Sequence, residues 1–366
     1  MFWYVIILVL LFWPICFTFS KRNKKSQRIA FKYCLFLLLF FMCCRSINVG
    51  KDTHVYVYKF FRIQQSSLKE LLQIRNFLQW DSELLYEIYN KLVSLFSTNA
   101  QSITISNGVF IIALLGSVVK KQSAYPLLSI WLYLTLGFYQ TQMNVTQNAI
   151  AILLCYRGLI YIQEKKPFLF LISIVVATSF HLSSIAFLPM YWVINGIKLD
   201  TKPFIILFFL LLFVCTIGFN IIRTLIIRLV PSAYSYGMGN RKDFESLLVG
   251  IFHFLTIALL FFCIDSSKRS KIVVLNRIGT WMFLLEMLSF ALSLHYPITS
   301  RLAALYSPYL IISIPNYLYV GVESNKKRMN IIAIMIVVMA LQYILRLHIN
   351  NIGSTLPYSF FWTTRI

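Results

Sequence analysis

Acidic residues and glycine are scarce in this chain. Of 366 residues, 12 are Asp or Glu against 34 Lys or Arg, glycine contributes 13, and charged residues make up 13% of the total. With so little charge and 59% hydrophobic residues, a water-soluble globule is excluded, because a single core cannot enclose that much apolar surface. The glycine-poor composition goes with missing phosphate loops: there is no G-x-G-x-x-G and no G-K-[ST], and D-x-D and H-E-x-x-H are missing too. A cytosolic nucleotide or nucleotide-sugar site therefore has no place, and an enzyme built on this chain would take its donor from the membrane, already activated on a lipid. The cysteines (Cys16, Cys34, Cys43, Cys44, Cys155, Cys215 and Cys263) form no C-x-x-C pair and have no His at ligand spacing. They read as small buried apolar residues, and no metal or cofactor is expected. Strand-period alternation, internal repeats and coiled-coil heptads are lacking as well.

What the chain has is a succession of apolar runs of helix-spanning length. They fall at about 2–19, 30–44, 106–119, 124–140, 147–162, 168–180, 182–195, 203–220, 248–264, 272–294, 303–321 and 329–349. The expected fold class is all-α, a polytopic transmembrane helical bundle of about 12 helices forming one integral membrane domain over 1–366. The first run has no Lys or Arg ahead of it and is followed by Lys21, Arg22, Lys24, Lys25 and Arg28. This is the reverse of a cleavable signal peptide and predicts a retained helix with its N-terminus outside. Further basic clusters at Lys120/Lys121, Lys165/Lys166, Lys198/Lys202, Lys268 to Lys271 and Lys326 to Arg328 all fall on one side under strict alternation, which makes that side cytoplasmic.

Two long extracytoplasmic loops remain, 45–105 and 221–247. Between Leu68 and Phe96 apolar residues recur at helical spacing, which predicts amphipathic helices on the outer leaflet or capping the bundle. Basic residues persist on this side, among them Lys59, Arg62, Arg223 and Arg241, and topogenesis does not require them there; an anionic ligand is one reason for them. Polar residues gather at the outer ends of the spans: Arg45, Lys51, Asp52 and Tyr56; Gln142, Asn144, Gln147 and Asn148; His181, Ser183 and Ser184; His295 and Arg301. Glu286 stands apart, midway along a span, where a carboxylate is costly unless paired or wetted. Asn144-Val145-Thr146 fits a glycosylation sequon but abuts a span and is discounted.

Four stretches carry a family resemblance: R-S-I-N-V-G-K-D-T-H-V-Y (Arg45–Tyr56), S-E-L-L-Y-E-I-Y-N-K-L (Ser82–Leu92), Q-M-N-V-T-Q-N-A-I-A-I (Gln142–Ile152) and S-F-H-L-S-S-I-A-F-L-P (Ser179–Pro189). In order and spacing they resemble the EpsG/Wzy family of polysaccharide repeat-unit polymerases (O-antigen, capsule or exopolysaccharide). The resemblance runs from about 30 to 320, and Y-P-I-T-S-R-L-A-A-L-Y (Tyr296–Tyr306) resembles the closing Arg-bearing motif. One departure is that Gln147 stands where the family often carries Arg in N-x-x-R-Q-x-[IL]-A.

The resemblance implies a GT-C-like bundle in the bacterial cytoplasmic membrane and a glycosyltransferase acting on polyprenyl-diphosphate-linked oligosaccharide, such as undecaprenyl diphosphate carries. The growing chain would leave its carrier and join the sugar of a fresh lipid-linked unit at the outer face. Membrane lipid, a chain-length regulator and a flippase of the same pathway are the implied partners, with no nucleic acid. On this reading Asp52, Glu83 and His181 are candidate catalytic residues, Asp52 first, with Arg45 and Lys51 keeping it ionised. Arg45, Lys51, Tyr56, Asn144, Gln147 and Arg301 are candidate substrate-binding residues, the arginines for the diphosphate. The alternatives are a lipid-linked oligosaccharide flippase, which would favour a two-fold repeat, or another multi-pass glycosyl- or acyltransferase.

Overall fold

The computed structural model describes residues 1–19, 24–67, 70–71, 83–196, 206, 244–269, 272, 275–293 and 299–363. The expected span at 203–220, most of the loop at 221–247, Trp80 and His295 lie outside these residues. Among the described residues the chain is all-helical, and its one pairing of extended backbone is an isolated bridge between Arg45 and Phe360. They group into two compact units: Met1–Leu188 with Ile332–Ile366, and Pro189–Ile331.

Three helices, Lys24–Cys43, Ala100–Gln122 and Asn325–Ile349, are long and apolar enough to cross a membrane by length and composition. Their surfaces carry the same message. Lys24–Cys43 buries Cys34, Leu37, Leu38 and Phe41, yet the opposite face exposes Ile29, Tyr33, Phe36 and Phe40. Asn325–Ile349 likewise exposes Ile334, Val337, Val338, Leu341 and Leu345. A helix as apolar outside as inside has lipid for solvent, and the protein is a membrane protein. Small residues bring the first two of these helices close: a Cβ at Gly108 would lie 2.9 Å from Cys43 Sγ, and one at Gly116 2.8 Å from Leu35 Cδ1.

The first unit holds α1 (Phe2–Ile15), α2 (Lys24–Cys43), α3 (Thr53–Gln65), α4 (Leu84–Phe96), α5 (Ala100–Gln122), α6 (Pro126–Thr135), α7 (Phe138–Asn144), α8 (Thr146–Gly158), α9 (Ile160–Gln163) and α10 (Pro167–Phe180). The apolar run expected at 124–140 is divided: α6 stops at Thr135, and Gly137, at φ 83°, turns the chain into α7. The run expected at 182–195 is not one helix. A 3-10 turn at Leu182–Phe187 is followed by α11 (Met190–Gly196), with Pro189, which has no N–H to give, at the junction. Helix α3 falls in a stretch where no helix was expected, and α4 realises the end of the amphipathic segment; residues 72–82 between them lie outside the description. Val57 and Phe60 of α3 pack with Ile103 of α5, flanked by Tyr89 and Val93 of α4.

The second unit holds α11, α12 (Phe244–Cys263), α13 (Arg277–Ser293), α14 (Ser300–Tyr306), α15 (Leu310–Gly321) and the start of α16 (Asn325–Ile349), whose remainder belongs to the first unit. Glu286 of α13 is fully buried and meets the equally buried His253 Nδ1 of α12 at 2.5 Å, the pairing that a carboxylate midway along an apolar helix calls for. Asp265 accepts from the Glu323 N–H at 2.9 Å and from Lys327 Nζ at 2.6 Å, tying the end of α12 to the start of α16.

Candidate functional site

Residues that strict alternation of spans sends to one side meet at one end of the first unit. After α2 the chain turns through Ser46–Gly50, where Gly50 adopts φ 91°, and enters α3 at Asp52. The Asp52 carboxylate does not cap that helix. It accepts instead from Asn144 Nδ2 at 3.2 Å, while the Asp52 N–H donates to Asn144 Oδ1 at 2.8 Å. This two-way clasp joins the start of α3 to the end of α7, and it uses the amide that the sequon would have offered. Gly50 makes the clasp possible, since a Cβ there would stand 3.2 Å from the Asn144 Cα.

Asp52, Tyr56 and Lys59 are spaced four and three apart, so they line one flank of α3. Lys59 Nζ lies 3.3 Å from Glu83 Oε2 and 3.3 Å from Gln147 Oε1. Glu83 immediately precedes α4 and gathers three partners: Lys59, the Gln147 amide and His181 Nδ1. Gln147, near the start of α8, also donates to the Phe180 carbonyl at 2.8 Å. His181 ends α10 in extended backbone, φ −154°, which swings its ring out of the helix toward Glu83. Burial works against the Glu83 charge, but the His181 hydrogen bond, the charges of His181 and Lys59 and the Gln147 amide outweigh it and hold the carboxyl below the ordinary glutamate range. Tyr56 packs edge-on against Tyr86 at 6.1 Å. Burial first, then Tyr86, Asp52 and Glu83, push its hydroxyl above the ordinary tyrosine value.

Arg45 is 1% exposed, its guanidinium binding the carbonyls of Met143 and Val49. It stitches the turn before α3 to the end of α7 and shows no surface to a ligand in this conformation. Gln101 completes the stitching by donating to the carbonyls of Cys43 at 2.8 Å and Arg45 at 2.9 Å. Among the described residues no Lys or Arg forms an ion pair with Asp52, whose side-chain partner is the Asn144 amide. Lys51 is exposed beside it. Arg301 is exposed near the start of α14, in the second unit.

The structure thus gathers Asp52, Tyr56, Glu83, Asn144, Gln147 and His181, and adds Lys59, which the sequence placed only among the basic residues of the outer loop. The signal for it was present, because Asp52, Tyr56 and Lys59 share one helical flank once α3 is recognised. Lys59 sits beside Gln147 and contacts the same Glu83. Chemically the cluster pairs a carboxylate with an imidazole. When the ring is neutral, Glu83, an acceptor, takes the Nδ1–H and leaves Nε2 as the basic nitrogen, on a ring about a third exposed, with side-chain accessibility of 34%.

An apolar helical protein with a polar acid–imidazole cluster at one helix end fits the class of membrane-embedded enzymes. The EpsG family matches residues 29–360, most of the chain, and the protein belongs to that family, whose members are polysaccharide polymerase-like. Its role is accordingly of the polymerase type in polysaccharide biosynthesis. No curated protein and no solved structure matches the chain.

Proposed function

We propose that this protein joins polyprenyl-diphosphate-linked oligosaccharide repeat units at the outer face of the bacterial cytoplasmic membrane, as a bundle of about twelve crossings. The observation that carries the reading is the Glu83–His181 pair set among Lys59, Gln147 and the Asp52–Asn144 clasp. His181 Nε2 accepts the proton of the acceptor sugar hydroxyl as that oxygen attacks the anomeric carbon of the donor. The bond from that carbon to the diphosphate oxygen breaks, and the polyprenyl diphosphate leaves with its electrons. Glu83 orients the imidazole and stabilises the imidazolium, as the carboxylate does in other acid–imidazole pairs. Lys51 and Lys59 supply cationic charge for the leaving diphosphate, and Tyr56 and Asn144 line the path between the carboxylates. Arg45 acts by holding the turn.

A second reading makes Asp52 the base. It is half-buried, its carboxylate is engaged by one amide, and it shares the α3 flank with Tyr56 and Lys59. Deletion of the gene should leave lipid-linked single repeat units on the outer leaflet and abolish long chains. Single units confined to the cytoplasmic leaflet would replace this proposal with a flippase. Among point variants, loss of chain growth in His181→Gln with a normal ladder in Asp52→Asn favours the imidazole; the converse favours Asp52.

A further inference from the structure

The turn that presents Asp52 does not hold its shape alone. After α16 the chain doubles back through Ile352–Phe361 and runs along the turn. The Ser46 N–H donates to the Ser359 carbonyl at 2.8 Å, the Gly50 N–H to the Ser354 carbonyl at 3.1 Å, and the Phe361 N–H to the Cys44 carbonyl at 3.0 Å. Tyr358 adds a hydroxyl bond to the Phe41 carbonyl at 2.7 Å, and its ring meets Tyr4 at 5.6 Å and Phe360 at 5.3 Å. At the near end Gly353, at φ 62°, lies so close to α7 that a Cβ there would be 2.5 Å from the Gln140 carbonyl oxygen. Thr355 of the strap is fully buried, and Arg45, whose backbone bridges to Phe360 of the strap, is buried as well. One strap thus touches the turn ahead of Asp52 and, through Gln140 and Thr141, the helix that ends in Asn144.

We propose that the C-terminal strap Ile352–Phe361 is a positioning element of the reaction, setting the Asp52 turn and the Asn144 clasp in register with the Glu83–His181 pair. The proposal rests on the reading that this cluster is the polymerisation site. Its basis is that the turn Ser46–Gly50 draws two backbone bonds from the strap, and that buried amides bound to a neighbouring segment lose their partners when that segment is withdrawn. Misplacement of a reacting group by about 1 Å is enough to cost on the order of a hundredfold in rate.

Ser354 separates backbone from side chain. It is exposed and sits at φ 53°, a conformation that glycine adopts freely and proline cannot. Ser354→Gly should keep both structure and activity; Ser354→Pro should displace the strap. Full-length variants in lipid nanodiscs would be compared by hydrogen exchange at residues 46–53 and by turnover of lipid-linked repeat units. In Ser354→Pro the amides of 46–53 should lose protection while Ala100–Gln122 stays protected. Turnover per folded molecule should fall about a hundredfold, the retained protection of Ala100–Gln122 showing that the loss is not one of folded protein. Unchanged protection of 46–53 in Ser354→Pro would overturn the strap as the element that holds the turn. Lost protection with full turnover would overturn its part in the reaction and would count against the Asp52–Asn144 half of the proposed site, leaving the strap contacts themselves standing. Equal loss of activity in Ser354→Gly would overturn the backbone argument.

Discussion

Glu83 is the most heavily engaged carboxylate of the site, shared among Lys59, Gln147 and His181. Its partners lower its pKa, so its contribution to stability is complete above the pKa it has in the unfolded chain and is lost as pH falls through the depressed folded value. The stability gap between the wild type and Glu83→Gln, read by thermal unfolding in detergent, should therefore be full at neutral pH and close on acidification below the ordinary glutamate range. A gap that persists into strong acid would contradict this assignment. Lys59 and Gln147 meet the same carboxylate oxygen, which invites an exchange. Lys59→Gln should impair chain growth, and the pair Lys59→Gln with Gln147→Arg should recover part of it by returning a cation to Glu83 from the other side. Chain-length profiles of the single and double variants decide, and absence of any recovery would mean that the cation must project from α3 itself.

At the scale of elements, the turn before α3 is where small changes act furthest. Gly50→Ala meets a positive φ and three atoms at 3.0 to 3.2 Å, two of them belonging to Asn144. The variant should lose chain growth while membrane level and helix content, read by circular dichroism, stay near normal; an unimpaired ladder would show that the clasp tolerates displacement. This element was half legible in the sequence. The cluster Arg45–Tyr56 drew notice because polar residues at the end of an apolar run are conspicuous. Helix α3 did not, since Val55, Tyr56, Val57, Tyr58, Phe60 and Phe61 follow one another round the whole helix, so periodicity was weak until packing against Ile103 and Tyr89 marked the inner face. The strap left no signal at all. It works through backbone bonds of Ser46, Gly50 and Phe361, which no side-chain pattern encodes. The burial of Arg45 was illegible for a related reason: sequence places it at the end of an apolar run, and only the packing shows it enclosed.

At the scale of the molecule, composition alone gave the all-helical membrane class, because lipid leaves helices as the simple way to satisfy the backbone. The limits of individual runs were less legible. A break such as Gly137 or Pro189 lies inside stretches as apolar as those that continue, and hydropathy does not register it. Sidedness rests on positive charge, and it can be checked directly. Reporters after Lys121, Lys166, Lys271 and Arg328 should report cytoplasm, and those within 60–100, 225–245 or after Phe361 should report the outside. An outside signal at any of the four basic clusters would move the site to the wrong face for a lipid-linked substrate. The central claim is that the Glu83–His181 cluster and its Asp52 turn carry polymerisation. It is tested most directly by giving purified wild-type protein, His181→Gln, Glu83→Gln and Asp52→Asn, in proteoliposomes, lipid-linked repeat units and reading the product ladder. The account predicts a full ladder from the wild type and a loss of roughly two or more orders of magnitude from His181→Gln, with Glu83→Gln also defective; full-length ladders from all three variants would contradict it.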